Sequence, residues 1–174
     1  MNLLLLQHQL TVKSISKNNY AMFDDLAREV EDRDMVKMLG IALLQDLQDN
    51  QSTLANIALL DGCSFTNYQG VIIKHKGVRF VEAYLIYADY VKQVSLKDTQ
   101  VGFVKKNIDQ NSGPITEGDT RRLIDSAVEI ANAQWAIVKD FLNAKSADYP
   151  LWNCANSVNS TRRSKIYGVK KTLR

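Results

Sequence analysis

The chain has 174 residues, 45% hydrophobic and 24% charged, with few glycines (8) and prolines (2). That balance is ordinary for one soluble globular domain with a real core, and the scarcity of Gly and Pro favours long helices over many tight turns. No apolar run approaches the length of a membrane span, and the start, MNLLLLQHQL, has neither a basic n-region nor a cleavage site of small residues, so neither a span nor a signal peptide is expected.

Charge is distributed unevenly. The net charge is +3, yet Arg162, Arg163, Lys165, Lys170, Lys171 and Arg174 all lie after Trp152 with no acid among them, which leaves residues 1–152 at −3. A mildly acidic body with a basic tail points to an arm that meets an acidic surface or nucleic acid. Cys63 and Cys154 are far apart, with no CxxC, and read as reduced thiols of an intracellular product.

In chain order, LLLLQHQLTVKSISKNN is β-prone and then polar, which predicts an extended arm over 1–19 with a helix N-cap at Asn18 or Asn19. Met22, Phe23, Leu26 and Val30 recur at spacings of three and four and predict a first helix. DRDMVKMLGIALLQDL continues it, bent or interrupted at Gly40, with Leu39, Leu43, Leu44 and Leu47 as its buried stripe. Ser52 is placed to cap a short helix, STLANIALL, which Asp61-Gly62 stops.

The strong β signal comes next. CSFTNY and VIIKH alternate in polarity around Tyr68-Gln69-Gly70 and predict a hairpin over about 63–76. A lone hairpin is marginal in water, so it must pack on helices or pair with another chain. Gly77 then releases the chain into a helix that is apolar on most sides. Phe80, Tyr84, Tyr87 and Val91 form one face, Val81, Leu85 and Ala88 the adjoining one, and Arg79, Glu82, Asp89 and Gln93 a narrow polar stripe. Such a helix is a central spine, touched from several directions. Its tyrosines, Tyr84, Tyr87 and Tyr90, read as core residues with hydroxyls reaching the edge.

SLKDTQVGFVKKNIDQNSGP, over 95–114, predicts an irregular and functional loop. Thr116 is placed to cap a long helix, with Glu117 and Asp119 favouring its N-terminal dipole. Ile124, Ala127, Ala131, Val138 and Phe141 form its stripe, which Leu123, Val128, Trp135 and Leu142 widen. The pattern runs to about Lys145, a rod of roughly 40–45 Å. Pro150 ends it, because a residue before proline avoids the helical region. The expected fold is mainly α: a helical bundle with a long C-terminal helix, a small β-hairpin and extended terminal arms. The expected parts are an arm at 1–19, a helical domain at 20–152 and a basic arm at 153–174.

Residues that carry chemistry are sparse. His8 and His75 have no second ligand at metal-binding spacing, and His75, beside lysines, reads as an exposed strand histidine. Cys63 has no sequence neighbour that would lower its pKa and reads as a buried structural thiol. Asp24, Asp25, Glu29, Glu31 and Asp32 read as the solvated face of the first helix. There is no Walker loop, dinucleotide fingerprint, nucleophile elbow or HExxH, and GFVKKN has too few glycines to build a nest of amides. The expectation is therefore no catalytic, cofactor-binding or metal-ligating residue, and no enzyme. The basic tail would hold DNA by its phosphates without sequence preference, which gives an alternative reading as a non-specific DNA-binding protein. SKIYGVKK also alternates well enough to add as a strand to a sheet edge, with Ile166 or Tyr167 in a pocket.

The order of these pieces resembles a known family. GVRFVEAYLIYADYV after a hairpin, then DTQVGFVKKN, then GPITEGDTRRLIDSAVEIANAQWAIVKDFLN, then YPLW, is similar to the head–tail connector proteins of tailed phages that infect Bacteroidetes. In particular it resembles a ring protein of a crAss-like phage. The matching positions are Gly77 to Val91, Thr99 to Lys106, Thr116 to Leu142, and Tyr149, Pro150 and Trp152, with Leu39-Gly40 in the early helix. The resemblance covers about residues 10–152; the leucine-rich start and the basic tail lie outside it.

The resemblance implies a mostly helical subunit that forms a ring beneath the portal, expected to be a homo-dodecamer. That ring would join capsid to tail and extend the DNA channel. The implied partners are further copies of the chain, the portal protein, other neck, ring or tail proteins and passing genomic DNA, with no membrane. The implied location is the virion neck, after assembly in the host cytoplasm. A head-to-tail ring needs protruding pieces that lock neighbours. The expected inter-subunit loop carries Thr99, Gly102, Phe103, Lys105 and Lys106. The expected partner-binding arm carries Arg162, Arg163, Lys165, Ile166, Tyr167, Lys170, Lys171 and Arg174.

Overall fold

The computed structural model describes residue 4 and residues 20–94, 96–99, 102–105 and 117–152. The fold is mainly helical, with a small antiparallel hairpin and a long helix near the C-terminal end, as the periodicity predicts. Helix α1 spans Tyr20–Val30 and buries Phe23, Leu26, Ala27 and Val30; the expected cap at Asn18 or Asn19 lies outside the described residues. It does not continue as a plain α-helix. Glu31–Met35 forms a π-helical turn, followed by α2 (Val36–Leu39).

The burial pattern explains the turn. Phe23, Ala27, Glu31, Met35 and Leu39 are all buried at intervals of four. Four residues overshoot an α-turn by about 40°, so a straight helix would carry this row away from the core. A π turn holds one more residue and brings the row back. Gly40, at φ 82°, then breaks the helix as expected, and α3 (Ile41–Asp49) follows with Leu43, Leu44 and Leu47 buried.

Helix α4 (Leu54–Asp61) is capped by Thr53 rather than Ser52: Thr53 Oγ1 accepts from the Asn56 amide at 3.3 Å, and Thr53 is the residue with extended backbone. Gly62, at φ 90°, ends it. Strands β1 (Ser64–Thr66) and β2 (Ile72–Lys74) pair antiparallel, with Phe65 opposite Ile73.

Helix α5 (Val78–Val94) is the spine. It packs on α6 (Glu117–Ala144) and also on α1 and α4. Val78, Val81, Ala83, Leu85 and Ile86 are buried, whereas Phe80, Tyr84, Tyr87 and Tyr90 are half-buried at the margin. The aromatic face is thus the edge of the core and the aliphatic face its centre. At 1.5 Å per residue α6 is about 42 Å long and α5 about 26 Å, so the rod outruns the spine. Phe141, near the end of α6, lies 4.4 Å from the His75 ring just before α5, so these two ends are adjacent.

The segment after α5 corrects an expectation. Leu96–Thr99 (β3) and Gly102–Lys105 (β4) form a second antiparallel hairpin in place of an irregular loop. Main-chain pairing in strands of four residues needs no long apolar alternation, so periodicity gave no sign of it. Beyond α6 the chain turns at 145–148 and packs back on the body. Tyr149, outside the helix as Pro150 requires, is buried and donates its hydroxyl to the Ala55 carbonyl at 2.5 Å. Trp152 is buried, and its indole N–H donates to Asn143 Oδ1 at 3.0 Å.

Candidate interaction site

The β1–β2 hairpin is rooted by a tight backbone crossing. Gly62 and Gly77 both have positive φ, at 90° and 83°. A Cβ on Gly77 would run into the Leu60 carbonyl, and one on Gly62 into the backbone of His75 and Lys76. Only glycine lets the incoming and outgoing chains pass this closely.

Above the root sits an aromatic cluster that locks the inner face. Phe65 contacts Phe141 edge-on at 5.4 Å and His75 at 6.0 Å, and Phe141 contacts Tyr149 at 5.7 Å. His75 is fully buried, contrary to its expected exposure on the strand. Residues alternate across a strand, so Ile73 and His75 share the inward face with Phe65. The signal was present in VIIKH, but the flanking lysines obscured it. The Gly77 amide points at His75 Nδ1 (3.2 Å) and the Cys63 amide at Nε2 (3.3 Å), with Cys63 Sγ also 3.3 Å from Nε2; a neutral imidazole accepts at one of these nitrogens and carries its proton on the other. Burial holds the imidazole pKa below its usual range and pushes the Cys63 thiol up, with Lys145 acting weakly the other way on the thiol. The pair is therefore neutral, unlike the thiolate–imidazolium pair of an activated cysteine.

The outer end is rigid and apolar. Asn67 Oδ1 accepts from the amides of Gln69 (3.0 Å) and Val71 (2.9 Å), and the Asn67 amide donates to the Val71 carbonyl at 2.9 Å. This network holds the turn while Tyr68, Val71 and Ile72 stand in solvent at 89%, 53% and 75% exposure. Three large apolar side chains together on one fixed protrusion mark a contact surface, where isolated exposed ones would not.

A second constellation lies inside the body. Glu31 and Glu82, read from sequence as solvent-facing and as part of a polar stripe, are 3% and 0% exposed. The π turn swings Glu31 inward. Glu31 Oε1 accepts from the Leu4 amide at 2.6 Å, and Oε2 from Gln48 Nε2 at 2.7 Å. Glu82 lies beside Glu31, and neither of its oxygens has a hydrogen-bond partner among the described residues. Burial first, then the neighbouring Glu31, keeps the Glu82 carboxyl well above the usual carboxylate range. Arg79 closes the arrangement: Nε donates to the Leu4 carbonyl at 2.7 Å, Nη1 to Asp61 at 2.6 Å and Nη2 to Gln51 at 2.8 Å. Sequence reading could not find this cluster, because its members come from the arm, the π turn, α3 and α5.

Of the residues expected to bind partners, Thr99 pairs with Gly102, and Phe103 and Lys105 lie on β4 opposite Asp98 and Leu96. Lys106 lies outside the described residues, as do Arg162, Arg163, Lys165, Ile166, Tyr167, Lys170, Lys171 and Arg174. Among the described residues no group of three His, Cys, Asp or Glu side chains is placed to hold a metal ion. No described helix is long and apolar enough to cross a membrane.

A family model, described as a family of unknown function, DUF6712, matches residues 35–162. The chain belongs to the DUF6712 family. The span that defines DUF6712 here starts in the π turn and takes in α2 to α6, including the hairpin, its glycine root and the Tyr149–Trp152 return. It leaves out Leu4 and α1. No curated protein and no solved structure matches the chain.

Proposed function

We propose that this protein is a structural ring subunit of a phage neck, joining capsid to tail and extending the DNA channel. The observation that carries the reading is the rooted hairpin, which offers Tyr68, Val71 and Ile72 on a rigid stem. A monomer gains nothing from holding apolar side chains in water. A subunit that inserts the hairpin into its neighbour buries them. The α6 rod, which outruns α5, supplies further surface, and the order of elements is the one that resembles phage connectors. Copies of the chain, the portal and adjoining neck proteins are the partners under this reading, and the virion neck is its location.

The test is the state of the purified protein and its presence in particles. Native mass spectrometry and negative-stain images should show closed rings of fixed stoichiometry, and purified virions should contain the protein in the same ratio to the portal. A chain that is absent from particles and binds DNA with steep salt dependence would instead establish the DNA-binding alternative.

A further inference from the structure

Leu4 is held by side chains of the body on both of its main-chain groups. Its amide donates to Glu31 and its carbonyl accepts from Arg79, while its side chain is completely buried in the core. The receiving groups have supports of their own: Gln48 holds Glu31, and Asp61 and Gln51 hold Arg79. This is a slot that recognises a peptide by its main-chain groups and admits one apolar side chain. Backbone recognition plus a side-chain pocket is a general mode of peptide capture.

Residues 5–19 join Leu4 to α1. A stretch of that length can span about 50 Å. A compact body of this size has a radius of gyration of about 14 Å, so the arm can reach past the body that carries it. The same contact can thus close within one chain or between two. We propose that the slot formed by Glu31 and Arg79 is an inter-subunit site: in the assembly it takes the Leu4 segment of a second copy, so neighbouring copies are tied by exchanged N-terminal arms. Exchange leaves every contact of the slot unchanged, which makes it a low-cost link. Once copies stand side by side, the neighbour's arm is present at an effective concentration comparable with the chain's own.

The inference rests on the proposed ring only in needing copies to meet. The test uses the full chain with a photo-crosslinking residue in place of Leu3, mixed with uniformly heavy-isotope-labelled chain and then assembled. Cross-links from the arm to α5 are sorted by mass into within-chain and hybrid pairs. The expected result is hybrid pairs at the frequency set by mixing, and their loss to background when the heavy chain carries Arg79→Met. Cross-links that are all within one chain overturn the proposal. A chain that stays monomeric at the highest concentration reached, or an arm that gives no cross-link to α5, does so as well. Hybrid pairs in a dimer or filament would keep the exchange and reject the ring. A ring with within-chain pairs alone would do the reverse.

Discussion

Glu82 on α5 and Glu31 in the π turn lie together in the interior, and neither Glu82 oxygen has a hydrogen-bond partner among the described residues. Burial beside a second carboxyl therefore favours the protonated form of Glu82. Glu31 accepts from Leu4 and Gln48. The pair links the first helical segment to the spine and anchors the arm.

Stability should fall at alkaline pH because of this pair. Burial raises both folded-state pKa values above the reference of 4.5. The folded state thus holds a proton that the unfolded state has released. Its contribution is complete below about pH 4.5 and is lost as pH rises through the folded values. Calorimetric Tm measured from pH 5 to 9 should decline. Glu82→Gln, which keeps a donor and cannot ionise, should flatten the decline. An equally steep slope in that variant would remove Glu82 as its cause.

His75 should act on the acid side. Its folded pKa is depressed below 6.5 by burial. The stability this confers is complete above pH 6.5 and is lost as pH falls through the folded value. The hairpin should loosen first, seen as falling amide protection factors at Phe65 and Ile73 as pH drops below 6.5. Global unfolding with no earlier change at the hairpin would contradict this.

The glycine root should tolerate no side chain. Gly77→Ala meets the Leu60 carbonyl and a positive φ together, and should cost about 2–4 kcal/mol by chemical denaturation. Gly70, also at positive φ (78°) but with nothing within 4 Å, isolates the conformational part. Gly70→Ala should cost only about 1 kcal/mol. Equal costs at the two positions would mean that the close crossing is not what matters.

The spine can be tested by substitutions along its two faces. Leu85→Ala and Ile86→Ala remove buried side chains and should cost about 2–5 kcal/mol. Tyr84 is half-buried and should cost less when cut to alanine. A larger loss at Tyr84 would move the centre of the core to the aromatic face.

The hairpin tip should separate folding from assembly. Ile72→Thr and Tyr68→Ser change exposed positions and should leave stability within about 0.5 kcal/mol. Both should shift mass measured by light scattering from ring to monomer. Rings that form normally with both substitutions would reject the tip as the contact.

What the sequence by itself determined is whatever local chemistry encodes. Apolar residues at three and four placed α1, α5 and α6, and the alternation around Tyr68-Gln69-Gly70 placed the hairpin. Gly40, Gly62 and Gly77 punctuated the chain, and the loss of the apolar stripe near Lys145 marked the end of the rod. These signals survive without a partner because period and backbone preference belong to neighbouring residues. Only the tertiary structure decided which polar residues turn inward. Glu31 looked like one of a row of solvated acids until the π turn rotated it, and Glu82 belonged to a polar stripe until α1 packed against α5. His75 stood among lysines until Phe65 and Phe141 closed over it. A buried carboxyl or imidazole is tolerable when a partner receives it, and each partner here comes from a distant part of the chain. The burial of Leu4 against a slot assembled from the π turn and α5 is of the same kind: neither its place nor its meaning is written near residue 4.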